Sequence, residues 1–206
     1  MHETDPALIR AAAAGDLAAY EQIVRDHQQH VWRFLRRLLG DDTVAEDVAQ
    51  ETFLRVYRRL PGFGFQSTFS TWVFQVARNA GIDELRARRR RERLVDALPT
   101  PPGATTGTGE ARAEIAAALA SLPVDLREAL VAVEVLGLRY AEAATVLAVP
   151  EGTVKSRVFT ARRRLVRWAH ADEGDPLGTA DPDDPVGRDE PDIADRGSAR
   201  EVGDEM

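Results

Sequence analysis

Cysteine is absent from the 206 residues of the chain, and only 6% of them are aromatic. The absence of cysteine excludes disulfides, thiolate zinc sites and cysteine nucleophiles. No uncharged apolar stretch approaches the roughly 18 residues that a membrane span requires, and the first residues show neither the basic start nor the apolar run of a signal peptide. We therefore expect a soluble protein of the cytoplasm.

Strand signals and an even spread of charge are also missing. Alternating β-branched or aromatic runs are absent while Ala, Leu, Arg and Glu dominate, which favours an all-α fold. The chain has 27 basic and 34 acidic residues, a formal net charge of −7. Residues 171–206 hold 13 of the acids and only 3 of the bases, so the first 170 residues are slightly basic. The acidic average therefore does not exclude a nucleic-acid partner.

The pattern predicts two small helical domains, a linker and a tail. We expect a first helical domain over residues 5–94, a flexible linker over 95–110 and a second helical domain over 111–170. The linker includes PTPPGATTGTG, which has no charge and almost nothing to bury. Residues 171–206 are acidic and rich in Pro and Gly, a composition typical of disorder. This tail either folds back on the basic helices or only keeps the protein soluble.

Capping signals place the first helices. Asp16 is a suitable N-cap for a long helix that ends at Gly40. A second helix is expected to start at Asp42 or Thr43 and to stop before Pro61, and a third to run from about Ser70 into an arginine cluster. The second helix carries apolar and small residues at a spacing of three to four, which predicts its buried face: Ala45, Val48, Ala49, Thr52, Phe53, Val56, Tyr57 and Leu60.

Residues 138–165, LRYAEAATVLAVPEGTVKSRVFTARRRL, have the spacing of a helix-turn-helix. Pro150 suits the first position of the second helix. Six bases and no acid lie between residues 152 and 169, whereas a solvated helix normally interleaves acids for pairing with its bases. Arg and Lys contact guanine edges and phosphates, and Phe packs on thymine methyl groups. We therefore predict a helix that reads the major groove; a solvated basic helix is the alternative.

The second helix also has an informative outward face. Asp47, Gln50, Glu51 and Leu54 lie opposite the predicted buried stripe. A solvated acidic face accounts for the two acids, but an apolar side chain among polar ones more often marks a contact. This face is therefore a candidate partner surface.

An aromatic loop precedes a basic helix. The segment GFGFQSTFSTW is followed by a helix with seven arginines and three acids between Arg78 and Arg93. On this helix we expect Phe69, Val73, Val76 and Ala80 to be buried, and the following residues to face away from the core: Thr71, Gln75, Arg78, Arg86 and Arg89. Aromatic rings beside a basic helix are what unstacked bases require. The alternative is that Phe69 and Trp72 simply fill the core.

Three segments together resemble a known family. AEDVAQETFLRVYR, STFSTWVFQVARNAGIDELR and residues 138–165 look like a bacterial RNA polymerase sigma factor of the extracytoplasmic-function (ECF) group. The resemblance covers about residues 7–167 in two separate parts in the right order. It implies two helical domains, called σ2 and σ4, that bind the polymerase core and direct it to promoters.

The resemblance also implies roles for individual residues. The core-binding surface, which meets the β′ clamp helices, comprises Asp47, Gln50, Glu51 and Leu54. The −10 DNA-binding residues are Phe65, Gln66, Ser67, Thr71, Trp72, Arg78 and Asn79, and those for the −35 element are Lys155, Ser156, Phe159, Thr160 and Arg163. Thr160 stands where several members of the family carry a basic residue. The other implied partners are the β flap and, with no residue assigned to it, an anti-sigma factor.

Other functions lack their signatures. We expect no catalytic residue, no metal and no cofactor, because no phosphate loop, nucleophile elbow or metal-ligand spacing is present. A dimeric helix-turn-helix regulator would need an apolar dimer seam, which the first domain does not offer. A nucleic-acid-processing enzyme would need clustered carboxylates for two metals. An anti-sigma-like protein would not need its own helix for reading the −35 element. The dimeric regulator is the main alternative.

Overall fold

A computed structural model describes residues 3–94 and 110–170, with side chains described over 3–92 and 113–170. All regular structure in these ranges is helical, as the sequence predicted. The predicted linker, apart from residue 110, and the predicted tail lie outside the described residues. The helices are α1 (Pro6–Ala13), α2 (Leu17–Leu39), α3 (Asp42–Arg59), α4 (Phe69–Leu94), α5 (Glu110–Ala120), α6 (Val124–Leu130), α7 (Tyr140–Leu147) and α8 (Glu151–His170), with a short 3₁₀ turn at Leu60–Gly62 and a π-helical turn at Val131–Val135.

Local capping explains where these helices begin and end. The Asp16 carboxylate accepts from the backbone N–H groups of Ala18 and Ala19 at 2.9 and 3.1 Å, and Gly40 ends α2 in the left-handed region at φ +76°. Both predicted boundaries of α2 are therefore confirmed. Asp41 caps α3, which begins at Asp42 as expected. The separate helix α1 was not predicted.

The core of the first segment lies between α2, α3 and α4. Phe34 and Phe74 are fully buried and meet edge to face with ring centroids 6.0 Å apart. The backbone of α4 approaches α2 closely at Gly81, where a Cβ would lie 2.9 Å from Cδ2 of Leu38. The predicted stripe of α3 is buried except for Tyr57, which is 40% exposed. That expectation is wrong because the Tyr57 ring packs on the edge of Tyr20 at the surface.

The second segment is built around α6, α7 and α8. Ala148 adopts a left-handed conformation, φ +54°, and turns the chain between α7 and α8. The inner side of α8 is closed by Val154, Val158 and Ala161, all at most 1% exposed. The predicted helix-turn-helix is therefore present, and Pro150 precedes its second helix by one residue.

The two described segments, residues 3–94 and 110–170, pack against each other and belong to one compact unit. The main boundary lies between α4 and α7, and α2 also contacts α5, α6 and the π-helical turn. Along the described ranges, no helix combines the length and hydropathy needed to cross a membrane.

Candidate nucleic-acid and partner interfaces

The outer face of α8 presents an aromatic ring among polar and basic groups. Phe159 is 62% exposed although it is a large apolar side chain, and the Arg163 guanidinium lies over its ring at 5.8 Å. Lys155 and Ser156 are exposed beside them, and Thr160 is half-buried. The structure thus brings all five predicted −35 residues onto one stretch of α8.

The basic residues of α8 fall into two groups, those with a carboxylate partner and those without one. Lys155 pairs with Glu151 at 2.7 Å, which raises the pKa of Lys155, and Arg162 pairs with Glu134. Arg163, Arg164 and Arg167 pair with no carboxylate of the described residues, and of these Arg164 is half-buried. A guanidinium without a carboxylate partner keeps its N–H donors free for a phosphate or a nucleobase edge. Arg163, which is exposed beside Phe159, is therefore the basic residue best placed to contact DNA.

The loop before α4 holds Phe65 in a strained and exposed position. Phe65 has φ +53°, a region that non-glycine residues rarely adopt, and its ring is 46% exposed. It is held by Phe63, with ring centroids 4.8 Å apart, and by Arg10, whose guanidinium lies 5.4 Å from the ring centroid. Gln66 is exposed beside it and Ser67 is half-buried. Strain of this kind is characteristic of binding loops.

Thr71 does not face away from the core, and that expectation is wrong. Its side chain is 3% exposed. Its hydroxyl is 2.7 Å from that of Thr68, and its backbone N–H donates to the same Thr68 oxygen at 3.2 Å. These contacts fix the start of α4, and they draw the small polar side chain inward.

Trp72 lies between the loop and the core. Its ring is half-buried, with centroids 5.0 Å from Phe63 and 5.7 Å from Phe69. Phe69 is 2% exposed and belongs to the core. The core-filling alternative is thus right for Phe69, whereas Trp72 keeps part of its surface at the loop.

Arg78 and Asn79 differ in accessibility. Asn79 is exposed. Arg78 makes a two-pronged ion pair with Glu128 of α6, through Nε at 2.9 Å and Nη2 at 3.0 Å. This predicted DNA contact is therefore engaged by the second segment of the same chain.

The outward face of α3 keeps the composition that the sequence indicated. Asp47 and Gln50 are exposed and Leu54 is 52% exposed. Glu51 is half-buried because it accepts from Arg55 at 2.8 Å, and Arg55 also reaches Asp83 of α4 at 3.0 Å. These carboxylates raise the pKa of Arg55. Of the two acids on this face, Asp47 is therefore the one that makes no such ion pair with a neighbouring residue of the described chain.

A groove that the sequence did not predict runs beside Leu54, between α2 and α3. It is lined mainly by apolar and aromatic side chains: Leu17, Tyr20, Trp32, Phe53, Leu54 and Tyr57. Burial raises the pKa of Tyr20 to about 12, and its hydroxyl donates to the carbonyl of Phe53 at 2.5 Å. Leu17 is 63% exposed. The helical spacing of Leu17, Tyr20 and Val24 was the signal that would have found it.

Comparisons with known proteins agree on the class. The family model described as sigma-70 region 2 matches residues 23–91, and the one described as sigma-70, region 4 matches residues 112–165. The helix-turn-helix and the α3–α4 surfaces lie inside these two matches. The chain belongs to the sigma-70 family of RNA polymerase sigma factors.

The relatives narrow the class to the ECF group. The ECF RNA polymerase sigma factor SigC of Mycobacterium tuberculosis is 38% identical over 176 residues, covering 83% of this chain and 94% of the relative. The ECF RNA polymerase sigma-E factor of Salmonella typhimurium is 33% identical over 177 residues, covering 79% and 92%.

A solved structure shares the fold. The sigma factor RpoE, crystallised with the anti-sigma factor NepR from Bartonella quintana, has a TM-score of 0.63 at 27% identity and covers 74% of this chain and 98% of its own. This chain is an ECF-type sigma factor that directs promoter-specific transcription initiation. The dimeric regulator is not favoured.

Proposed function

We propose that this chain acts as a sigma factor through three separate surfaces, which bind core polymerase, the −10 element and the −35 element. The outward face of α3 binds the β′ clamp helices, the loop before α4 captures the opened −10 strand, and α8 reads the −35 duplex. The observation that carries this proposal is the exposure of Leu54, Phe65 and Phe159. Each is a large apolar side chain that is exposed among polar neighbours.

The proposed core-binding surface combines charge with an apolar groove. Gln50 and Leu54 line the groove between α2 and α3, and Asp47 and Glu51 lie near them on α3. The groove gives an amphipathic partner helix a place to bury its apolar face. The carboxylates set orientation and association rate more than affinity. We therefore expect Leu54 to carry more of the binding energy than the acids do.

The proposed −10 surface holds a base that has left the stack. Extrusion of a base costs a few kcal/mol, and stacking on an aromatic ring returns about 1–3 kcal/mol. Phe65 is the exposed ring, Trp72 lies beside the loop, and Gln66, Ser67 and Asn79 supply polar contacts. Arg78 supplies phosphate contact. Thr71 acts as a positioning residue through Thr68.

The proposed −35 surface reads duplex DNA with Lys155, Ser156, Phe159, Thr160 and Arg163. Arg163 has the geometry for a guanine edge and Phe159 for a thymine methyl group. The second segment also contacts the β flap. This role is one of binding without covalent chemistry by this chain, and it places the protein in the cytoplasm with the polymerase. An anti-sigma factor is a further proposed partner.

The test is direct binding to bacterial core polymerase, measured by fluorescence anisotropy of the labelled chain. The variant Asp47→Ala/Leu54→Ala avoids Glu51, which holds Arg55 in place. We expect Kd to rise at least about tenfold, equivalent to about 1.4 kcal/mol. The matched control Glu114→Ala/Ile115→Ala removes an exposed acid and a 50% exposed Ile from α5. Equal affinities for both variants would refute the proposed surface.

A further inference from the structure

A small cavity with basic walls lies where the end of α2 and the start of α3 meet α5 and α6. Its volume is about 80 Å³. Its charged walls are three arginines and one carboxylate: Arg36, Arg37, Arg127 and Asp42. Ala116 and Ala120 of α5 form an apolar side. The walls thus carry two more positive than negative charges, although the chain as a whole has a formal net charge of −7.

The one carboxylate among the described lining residues is already paired. Asp42 accepts from Nε of Arg36, whose guanidinium also lies over the ring of Trp32 at 5.5 Å from its centroid. The side chains of Arg36 and Asp42 are 20% and 48% exposed, so the cavity opens to solvent beside them. The other two arginines of the cavity therefore have no counter-charge in its walls.

Arg127 is a buried arginine without a carboxylate partner among the described residues. It is 8% exposed, and its Nη groups donate to the carbonyls of Leu38, Ala120 and Leu122 at 2.9, 2.8 and 3.0 Å. These bonds occupy carbonyls near the ends of α2 and α5, where the negative ends of the helix dipoles would otherwise repel an anion. Nε of Arg127 is buried and has no hydrogen-bond partner in the described part of the chain. An acceptor that reached it would satisfy this donor.

Two further arginines add positive charge around Arg127. Arg37 lines the cavity, is half-buried and pairs with no carboxylate of the described residues. Burial, and after it the charge of Arg89 of α4, lowers the pKa of Arg127 below its ordinary value, so Arg89 lies close by. Arginine stays protonated in proteins, and these like charges therefore repel one another. A negatively charged ligand would relieve that repulsion.

The size and charge of the cavity select the ligand. Liquid water takes about 30 Å³ per molecule, so a cavity of about 80 Å³ admits a compact oxyanion but not a sugar or a nucleobase. Guanidinium groups bind phosphate oxygens through paired N–H donors. A phosphate monoester carries about 1.5 to 2 negative charges at pH 7, which matches the surplus of positive charge in the walls.

We propose that this cavity binds a phosphate dianion, either inorganic phosphate or the terminal phosphate of a small phosphorylated molecule, through Arg37 and Arg127. The remainder of a phosphorylated molecule would extend into solvent beside Arg36 and Asp42. Because the lining residues come together only in the folded chain, the bound anion stabilises the fold by mass action. The site is separate from the three surfaces of the proposed function, and its test requires neither DNA nor polymerase.

Isothermal titration calorimetry of the full chain with inorganic phosphate, at constant ionic strength, tests the site. We expect saturable binding of one phosphate per chain. Arg37→Gln leaves no carboxylate unpaired and should raise Kd at least about tenfold, equivalent to about 1.4 kcal/mol. Arg33→Gln removes the same charge from an exposed position of α2 outside the cavity. Because salt screens distant charges, Arg33→Gln should change Kd by less than about twofold. Absence of saturable binding at millimolar phosphate, or equal Kd values for the two variants, overturns the proposal.

A second pair of variants places a carboxylate in the cavity instead of removing an arginine. Ala116 is half-buried and lines the cavity, whereas its neighbour Ala117 is exposed and does not. Ala116→Glu should pair with the free arginines and raise the Kd for phosphate at least about tenfold, and Ala117→Glu should not. This pair decides the question if Arg37→Gln fails to fold. A folded Ala116→Glu chain that binds phosphate as the parent chain does overturns the proposal.

Two further probes identify the source and the charge of the ligand. AMP binding that is tighter than that of inorganic phosphate, and that Arg37→Gln weakens, supports a phosphorylated small molecule; weaker binding of AMP supports free phosphate. Dimethyl phosphate is a diester with a single negative charge, like the phosphates of a nucleic-acid backbone. It should bind at least about tenfold more weakly than inorganic phosphate. Equal affinity for the diester overturns the assignment of a dianion site.

Discussion

At the scale of single residues, Phe65 combines exposure with backbone strain. A ring that is 46% exposed at φ +53° adds little to folding, so Phe65→Ala should change the free energy of unfolding by less than about 1 kcal/mol. Loss of one stacking ring should weaken binding of a single-stranded −10 oligonucleotide by holoenzyme by about 1–3 kcal/mol. Urea melts and anisotropy measure the two effects. A large loss of stability with unchanged binding would mean that Phe65 is structural.

The environment of His27 predicts how the free energy of unfolding depends on pH. It is 3% exposed, its ring contacts Phe69, and its Nδ1 donates to the carbonyl of Ile23 at 2.9 Å. Nε2, at 3.3 Å from the hydroxyls of Thr4 and Ser70, is then the acceptor. Burial lowers the pKa of His27 below its usual 6.5, and this effect outweighs the nearby charge of Asp26.

The sign of the pH effect follows from this lowered pKa. Below pH 6.5 the unfolded chain binds a proton at His27 that the folded chain does not, so the free energy of unfolding falls as the pH drops from 6.5 towards the folded pKa. Above pH 6.5 this contribution is constant. In urea melts, the stability advantage of the parent chain over His27→Gln should shrink between pH 7.5 and 5.5. An advantage that grows on acidification would contradict the assignment.

At the scale of elements, the approach of α4 to α2 depends on Gly81. A Cβ there would lie 2.9 and 3.1 Å from the methyl groups of Leu38 and Leu35, both fully buried. Gly81→Val should therefore lower the free energy of unfolding by about 1–3 kcal/mol through overpacking. Ala87→Val, at a half-buried position of the same helix, should cost no more than about 0.7 kcal/mol of helix propensity. Equal costs in denaturant melts would show that the close approach is unimportant.

In the recognition helix α8, the neighbouring residues Arg162 and Arg163 differ in whether they have a carboxylate partner. Arg163 has no carboxylate partner among the described residues, whereas Arg162 pairs with Glu134. Arg163→Ala should weaken holoenzyme binding to a −35 duplex by about 1–3 kcal/mol. If Arg163 also contacts a phosphate, the salt slope should fall by about one. Arg162→Ala should have the smaller effect; the reverse order in anisotropy titrations would contradict the assigned contact.

Local signals explain which elements the sequence predicted. Asp16 and Gly40 mark the two ends of α2 through side-chain and backbone geometry that depends only on nearby residues, so both ends were predictable. Periodicity identified the buried stripes for the same reason. It failed for Tyr57 and Thr71, because a neighbouring tyrosine and a hydroxyl pair decide their exposure. The outward faces of α3 and α8 were predictable because their apolar residues break a polar pattern.

At the scale of the whole molecule, the packing of the two segments was not predictable. Helical periodicity marks Gln75 and Arg78 as outward-facing and carries no information about a carboxylate 50 residues away. The groove between α2 and α3 was missed for the same reason, because its walls come from two helices. Contacts between distant segments depend on shape and charge that only the folded chain brings together.

We propose that this chain directs core polymerase to promoters through its α3 face. Transcription with core polymerase on supercoiled GC-rich templates, with start sites mapped, is the decisive measurement. We predict new core-dependent transcripts, lost at least tenfold with Asp47→Ala/Leu54→Ala and retained with Glu114→Ala/Ile115→Ala. If no transcripts form while the chain alone binds duplex DNA tightly as a dimer, the chain is a conventional helix-turn-helix regulator instead.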